Sequence, residues 1–144
     1  MSDGGSGLVH ARAGDFAAVV LKGPSAEPPA GHRAGSGRSR LAIGVCTAFR
    51  PKMLVNCLAA IAAQSVPAGI EIHVVVADNE PAPGNELLVR EFVARCPFPV
   101  HYVHEPRRGI PQARNAVLER CRILDVDWVA FTDDDCRVSH EWLV

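Results

Sequence analysis

Four short apolar runs, at residues 41–46, 70–77, 99–104 and 128–131, are separated by stretches whose apolar residues recur at helical spacing. That alternation admits few folds. Strand, helix and strand in repeated order close into a mostly parallel sheet with right-handed crossovers and helices on both faces. Ile72, Val74, Val75 and Val76 form a nearly continuous run, as expected of a strand covered on both sides. Leu54, Cys57, Leu58 and Ile61 give the first helix its stripe behind Pro51, a residue suited to a first turn. Leu88, Phe92 and Arg95 mark a second, weaker helix, and Ala113, Ala116, Val117 and Cys121 mark a third behind Pro111. No GxxxxGK or GxGxxG loop is present, which argues against a P-loop or an ordinary dinucleotide fold.

Residues 1–40 have a different texture. Eight of the twelve glycines lie there, mixed with Ser, Ala, Pro24, Pro28 and Pro29, so the composition predicts a flexible leader before a folded unit at 41–144. Its one apolar run, 16–21, is too short to span a bilayer and lacks the pattern of a secretory signal; no transmembrane segment is expected elsewhere. Fifteen Lys and Arg against sixteen Asp and Glu leave a formal charge of -1, so no whole-chain field would draw in nucleic acid or an anionic membrane. The five cysteines are odd in number and have no metal-type spacing, which reads as reduced residues in a cytoplasmic protein.

The chemistry gathers at strand ends. Thr47, Asp78, His104 and Asp133 each follow an apolar run, so their loops should line one edge of the sheet, where open α/β folds bind ligands. Asp133, Asp134 and Asp135 would repel one another there unless a cation held them. A hard ion, Mg²⁺ or Mn²⁺, takes such oxygen ligands together with substrate phosphates, so the triplet predicts a phosphate-bearing ligand. Arg107 and Arg108 add positive charge beside Gly109, and Arg114 sits in the first turn of a helix whose N-terminus favours phosphate. Each arginine has an alternative as an ion-pair partner of Glu105 or of the Asp triplet.

Taken in order, Val45-Cys46-Thr47-Ala48-Phe49-Arg50-Pro51, Val75-Val76-Ala77-Asp78-Asn79, the stretch from Arg107 to Asn115, and Ala130-Phe131-Thr132-Asp133-Asp134-Asp135 resemble the family 2 glycosyltransferases. The resemblance spans most of residues 41–144 and implies the GT-A fold. It also implies a nucleotide-diphosphate sugar donor held through a divalent metal for inverting glycosyl transfer. Asp133 and Asp135 match the outer positions of the family's Asp-x-Asp signature. We expect Asp135 on the metal and Asp133 beside it, on the metal's water shell or the donor ribose. Asp134 should point elsewhere in an extended segment. Asp78 matches the residue that accepts a hydrogen bond from the base, with a loop cap as its alternative, and Thr47 and Phe49 match the loop along the base. Arg114 is the strongest of the candidate phosphate contacts, with Arg107 next.

Family members continue past this signature into an acceptor-binding half that usually carries the general base, and 41–144 offers no obvious stand-in. The sequence therefore predicts the donor-binding half of a GT-A domain, truncated after its fourth strand, with its acceptor unknown and weak activity alone. A bare sheet edge and an uncovered apolar face should then invite aggregation or a partner covering the missing half. Two other classes remain open, a non-catalytic nucleotide-sugar or interaction module and a receiver-type phosphoacceptor. Receivers, however, carry their acidic pair after the first strand, where this chain has Thr47-Ala48-Phe49.

Overall fold

The computed structural model of the protein describes residues 20–22 and 37–144. Its elements are β1 (Val20–Lys22), β2 (Ser39–Thr47), α1 (Pro51–Ala62), β3 (Ile70–Asp78), α2 (Glu86–Val93), β4 (Val100–His104), α3 (Ile110–Ile123) and β5 (Trp128–Asp133). The strands form one sheet in the order β1-β5-β2-β3-β4. From β2 to β5 every neighbouring pair is parallel. This is the α/β arrangement expected, with all four apolar runs as strands.

Burial explains the strand assignments. The last seven residues of β3 are buried without alternation, because β3 is flanked by β2 and β4 in the sheet and covered on both faces. Ile43, Val45, Ile72, Val74 and Val76 meet Leu54, Cys57, Leu58 and Ile61 of α1, and Val89 and Phe92 of α2, on one face. Ala42, Val75, Ala77, Val129 and Phe131 meet Ala113, Val117 and Cys121 of α3 on the other. Arg95, expected on the second helix, lies beyond its end at Val93. Trp142 and Leu143 pack against the α1 side from turns that close the described chain.

Chain direction fixes where a ligand can enter. From β2 the chain steps through β3 to β4 in one direction, then returns through α3 to place β5 on the far side of β2. The strand order therefore reverses between β2 and β5, and a crevice opens at their carboxyl ends. Thr47 and Asp133 stand on its two sides.

The segment read as a leader lies mostly outside the described residues. Within it, Ser39 and Arg40 already belong to β2, and Val20–Lys22 pairs antiparallel with β5, Val20 opposite Ala130 and Lys22 opposite Trp128. The edge expected to be bare thus carries a short strand, which satisfies backbone groups that an open edge would leave to solvent or to another chain.

Gly44 marks the closest approach of α3 to the sheet. A Cβ there would stand 2.7 Å from Val117 Cγ1 and 3.0 Å from Phe131 Cε1. Both contacts are with packed core side chains, which have little room to yield. Gly44→Ala should therefore destabilise the chain by about 1–3 kcal/mol, read as a lower urea midpoint at unchanged slope. Unchanged stability would mean that α3 does not pack this tightly.

Candidate functional site

Backbone bonds tie the strand-end loops together before any side chain is considered. Asn79 N donates to Thr47 O at 2.8 Å and Glu105 N to Asp78 O at 2.9 Å. The loops after β2, β3 and β4 therefore share one frame. Asn79 then fixes the approach to α3: its Nδ2 donates to Glu105 O and Arg107 O, both at 2.8 Å, and its Oδ1 accepts from Gly109 N at 2.9 Å. Gly109 adopts φ 139, a conformation that a side chain would strain.

Asp78 ends β3 as expected, but its carboxylate is fully buried and faces the chain itself. Oδ2 accepts from Asn85 N at 2.9 Å and from Tyr102 Oη at 2.8 Å, while Oδ1 accepts from Asn85 Nδ2 and Glu80 N, both at 3.3 Å. Burial, and then the neighbouring carboxylate, push the Tyr102 phenol well above its usual range, so it stays a donor. In this geometry Asp78 performs the loop-capping role that the sequence held as its alternative. The half-buried carboxylate of that loop is Glu80, whose Oε1 accepts from Phe49 N at 2.7 Å and from Asn85 Nδ2 at 2.8 Å.

Phe49 is held in a left-handed conformation, φ 57, with its ring 58% exposed. The Arg108 guanidinium lies 5.5 Å from the ring centroid. Arg107 is occupied differently: its Nε and Nη2 grip both oxygens of Glu105 at 2.9 and 2.8 Å. It is thus an ion-pair partner, the alternative the sequence allowed. Arg114, expected in the first turn, is the fifth residue of α3 because that helix starts at Ile110, and it rests 5.6 Å over the ring of Phe131.

The Asp triplet divides by face. Asp133 and Asp135 are exposed, while Asp134 is 1% exposed and turned inward. Thr47 Oγ1 donates to Asp134 Oδ2 at 2.8 Å, and Arg50 Nη2 sits 2.6 Å from Oδ1, off the line of an aligned hydrogen bond. Burial raises the pKa of Asp134, and Thr47 and Arg50 oppose that rise. Asp133 O accepts from Cys136 N at 3.0 Å and from Cys57 Sγ at 3.5 Å, so α1 helps fix the turn. Burial pushes the Cys57 thiol up to about 12, which makes it a poor nucleophile and a packing residue.

One ligand atom from each of Asp133, Asp135 and Cys136 lies within 4.8 Å of the others. Two exposed carboxylates with room for water and phosphate oxygens suit a hard divalent cation, and the thiol would also accept a softer one. The donor set fits a metal. Sequence reasoning grouped Asp133 with Asp135 but did not place Cys136 in a metal donor set, and it missed Glu80 and the hub formed by Asn79. Only adjacency to the triplet could have signalled Cys136.

Comparison with known proteins gives a consistent result. Residues 42–144 match the family described as Glycosyl transferase family 2. The succinoglycan biosynthesis protein ExoM of Rhizobium meliloti (strain 1021) is 42% identical over 101 residues, covering 70% of this chain and 31% of that protein. The mannosyltransferase PcManGT from Pyrobaculum calidifontis, solved with GDP-Man and Mn²⁺, superposes with a TM-score of 0.55 at 28% identity, covering 68% of this chain and 28% of the other. S. aureus TarS 1–349, solved with UDP, gives 0.55 at 25% identity, covering 71% and 29%. The chain thus spans about a third or less of each relative. Among the described residues no helix is long and apolar enough to cross a membrane.

Two outcomes follow from the buried and paired acids. Asp78→Ala would strand the Asn85 amides and the Tyr102 hydroxyl in a buried setting, at a cost of about 3 kcal/mol or more, measurable by denaturant unfolding. The Arg107 side chain and then its backbone amide hold Glu105 at about 2, below its usual 4.5. Its contribution to stability is present above pH 4.5 and is lost as pH falls toward 2, so Glu105→Gln should flatten the acid limb of the stability profile.

Proposed function

The chain belongs to glycosyl transferase family 2, and from that membership we propose that it binds a nucleotide-diphosphate sugar for inverting glycosyl transfer with a divalent metal, Mg²⁺ or Mn²⁺. The observation that carries the reading is the meeting of two exposed carboxylates, Asp133 and Asp135, with the Thr47 to Arg50 loop at the point where the strand order reverses. The relative solved with GDP-Man and Mn²⁺ and the one solved with UDP support the ligand class.

Each residue then has a part. The Phe49 ring, with Arg108 nearby, offers a flat face to the base, and Thr47 fixes the loop that presents it. Asp78 shapes the base pocket through the loop it caps, and Arg107 through Glu105. Arg114 and the N-terminal amides of α3 face the phosphates with positive potential. Asp135, with Asp133 beside it, would hold the metal, which when bound offsets the charge that builds on the departing diphosphate. In this reading the chain orients the donor.

Calorimetry of the chain with UDP- and GDP-sugars, with and without Mn²⁺, tests the reading. Donor binding should require the metal, and Asp135→Asn should weaken metal-dependent binding by about tenfold or more. Equal binding by the variant would refute the assignment of Asp135.

A further inference from the structure

The acidic cluster at the end of β5 already touches a cation of the chain's own. Arg50, the residue just before α1, spans two carboxylates: Nη2 lies 2.6 Å from Asp134 Oδ1 and Nη1 3.3 Å from Asp135 Oδ2. We propose that Arg50 is the resident counter-cation of the metal site, which occupies Asp135 until the metal arrives and then, still tethered to Asp134, turns its freed edge to the donor diphosphate. The inference rests on the metal-dependent donor binding proposed above.

The two contacts differ in strength for a physical reason. The Asp134 side chain is 0% exposed and is held from its other oxygen by Thr47 Oγ1 at 2.8 Å. At that depth no water can replace Arg50 at Oδ1, so the contact at 2.6 Å is the one less open to exchange, although its hydrogen-bond alignment is poor. The Asp135 side chain is 48% exposed, and a pair at that exposure is weak and readily exchanged. A planar guanidinium carries donors on more than one edge, so one edge can stay on Asp134 while another lets go. A metal held by Asp135 would compete with Nη1 for the charge of that one carboxylate, whose Oδ2 Nη1 now occupies. The other oxygen, Oδ1, faces the Cys136 thiol at 3.5 Å. Once displaced, Nη1 is a charge-assisted donor fixed beside the metal, where a bidentate grip on phosphate oxygens is strongest. Asp134, the middle member of the triplet, thereby becomes a positioning residue.

The test compares the 144-residue chain with Arg50→Gln and Arg50→Lys by Mn²⁺ titration, followed by electron paramagnetic resonance, and by calorimetry with UDP and GDP. Without nucleotide, Arg50→Gln should bind Mn²⁺ roughly two- to five-fold tighter, because the competitor for Asp135 is gone. With Mn²⁺ present it should bind the nucleoside diphosphate about tenfold more weakly. Arg50→Lys should also bind Mn²⁺ more tightly, since an ammonium cannot span both carboxylates, whereas an effect of net charge alone would leave it at wild type. Wild-type Mn²⁺ affinity in both variants overturns the proposal, as does unchanged nucleotide affinity in Arg50→Gln. If the variants fail to fold, Mg²⁺ titration of the wild-type chain, read at the Arg50 side-chain nitrogens by NMR, decides: a static Arg50 overturns it. A wild-type chain that binds neither Mn²⁺ nor nucleotide overturns the functional reading and this inference together.

Discussion

Three consecutive carboxylates can end a core strand here only because the middle one leaves the other two. β5 ends at Asp133 and the chain turns at once, Cys136 N donating back to Asp133 O at 3.0 Å, so that Asp134 is buried beside Thr47 and Arg50 while Asp133 and Asp135 stay exposed. Turning inward is costly for a charge, and Thr47 and Arg50 offset the cost. Those two residues belong to the loop after β2, so the loop and the acidic turn are locked in relative position. The spacing of the site across the β2 and β5 crevice depends on this single buried contact set.

A second buried acid repeats the logic on the other side of the crevice. Asp78 gathers the loop from Glu80 to Asn85, and Asn79 beside it gathers the loop from Glu105 to Gly109. Phe49, Arg50, Arg108, Arg114, Asp133 and Asp135 are among the nearby positions that remain exposed. The family's acidic signatures are in this chain partly framework and partly surface.

The fold was legible because hydrophobic periodicity reports burial directly. Residues 74–77 are apolar without alternation because both faces of β3 are covered, and Pro51 and Pro111 each sit within the first two positions of a helix. The site was legible only in part. The outer Asp residues could be paired only through the Asp-x-Asp signature that the family resemblance carries, since β5 ends at Asp133. The partners of Arg107, Asp78 and Asp134 could not, because they arise from contacts between loops far apart in sequence, such as Thr47 with Asp134. Nor could the pairing of Val20–Lys22 with β5, since three residues carry too little pattern to be assigned to an edge.

The conformation of Phe49 has a consequence for affinity. A left-handed backbone at a bulky aromatic costs of order 1–3 kcal/mol, and it persists where surrounding contacts over-determine it, here the Glu80 carboxylate on the Phe49 amide. That expense falls on folding, where a cooperative core can absorb it. Under the proposed function, a planar base arriving at the ring would meet a loop whose backbone freedom has already been surrendered, so that little of its contact energy would be diverted into ordering the protein and a weak stacking contact would count nearly in full.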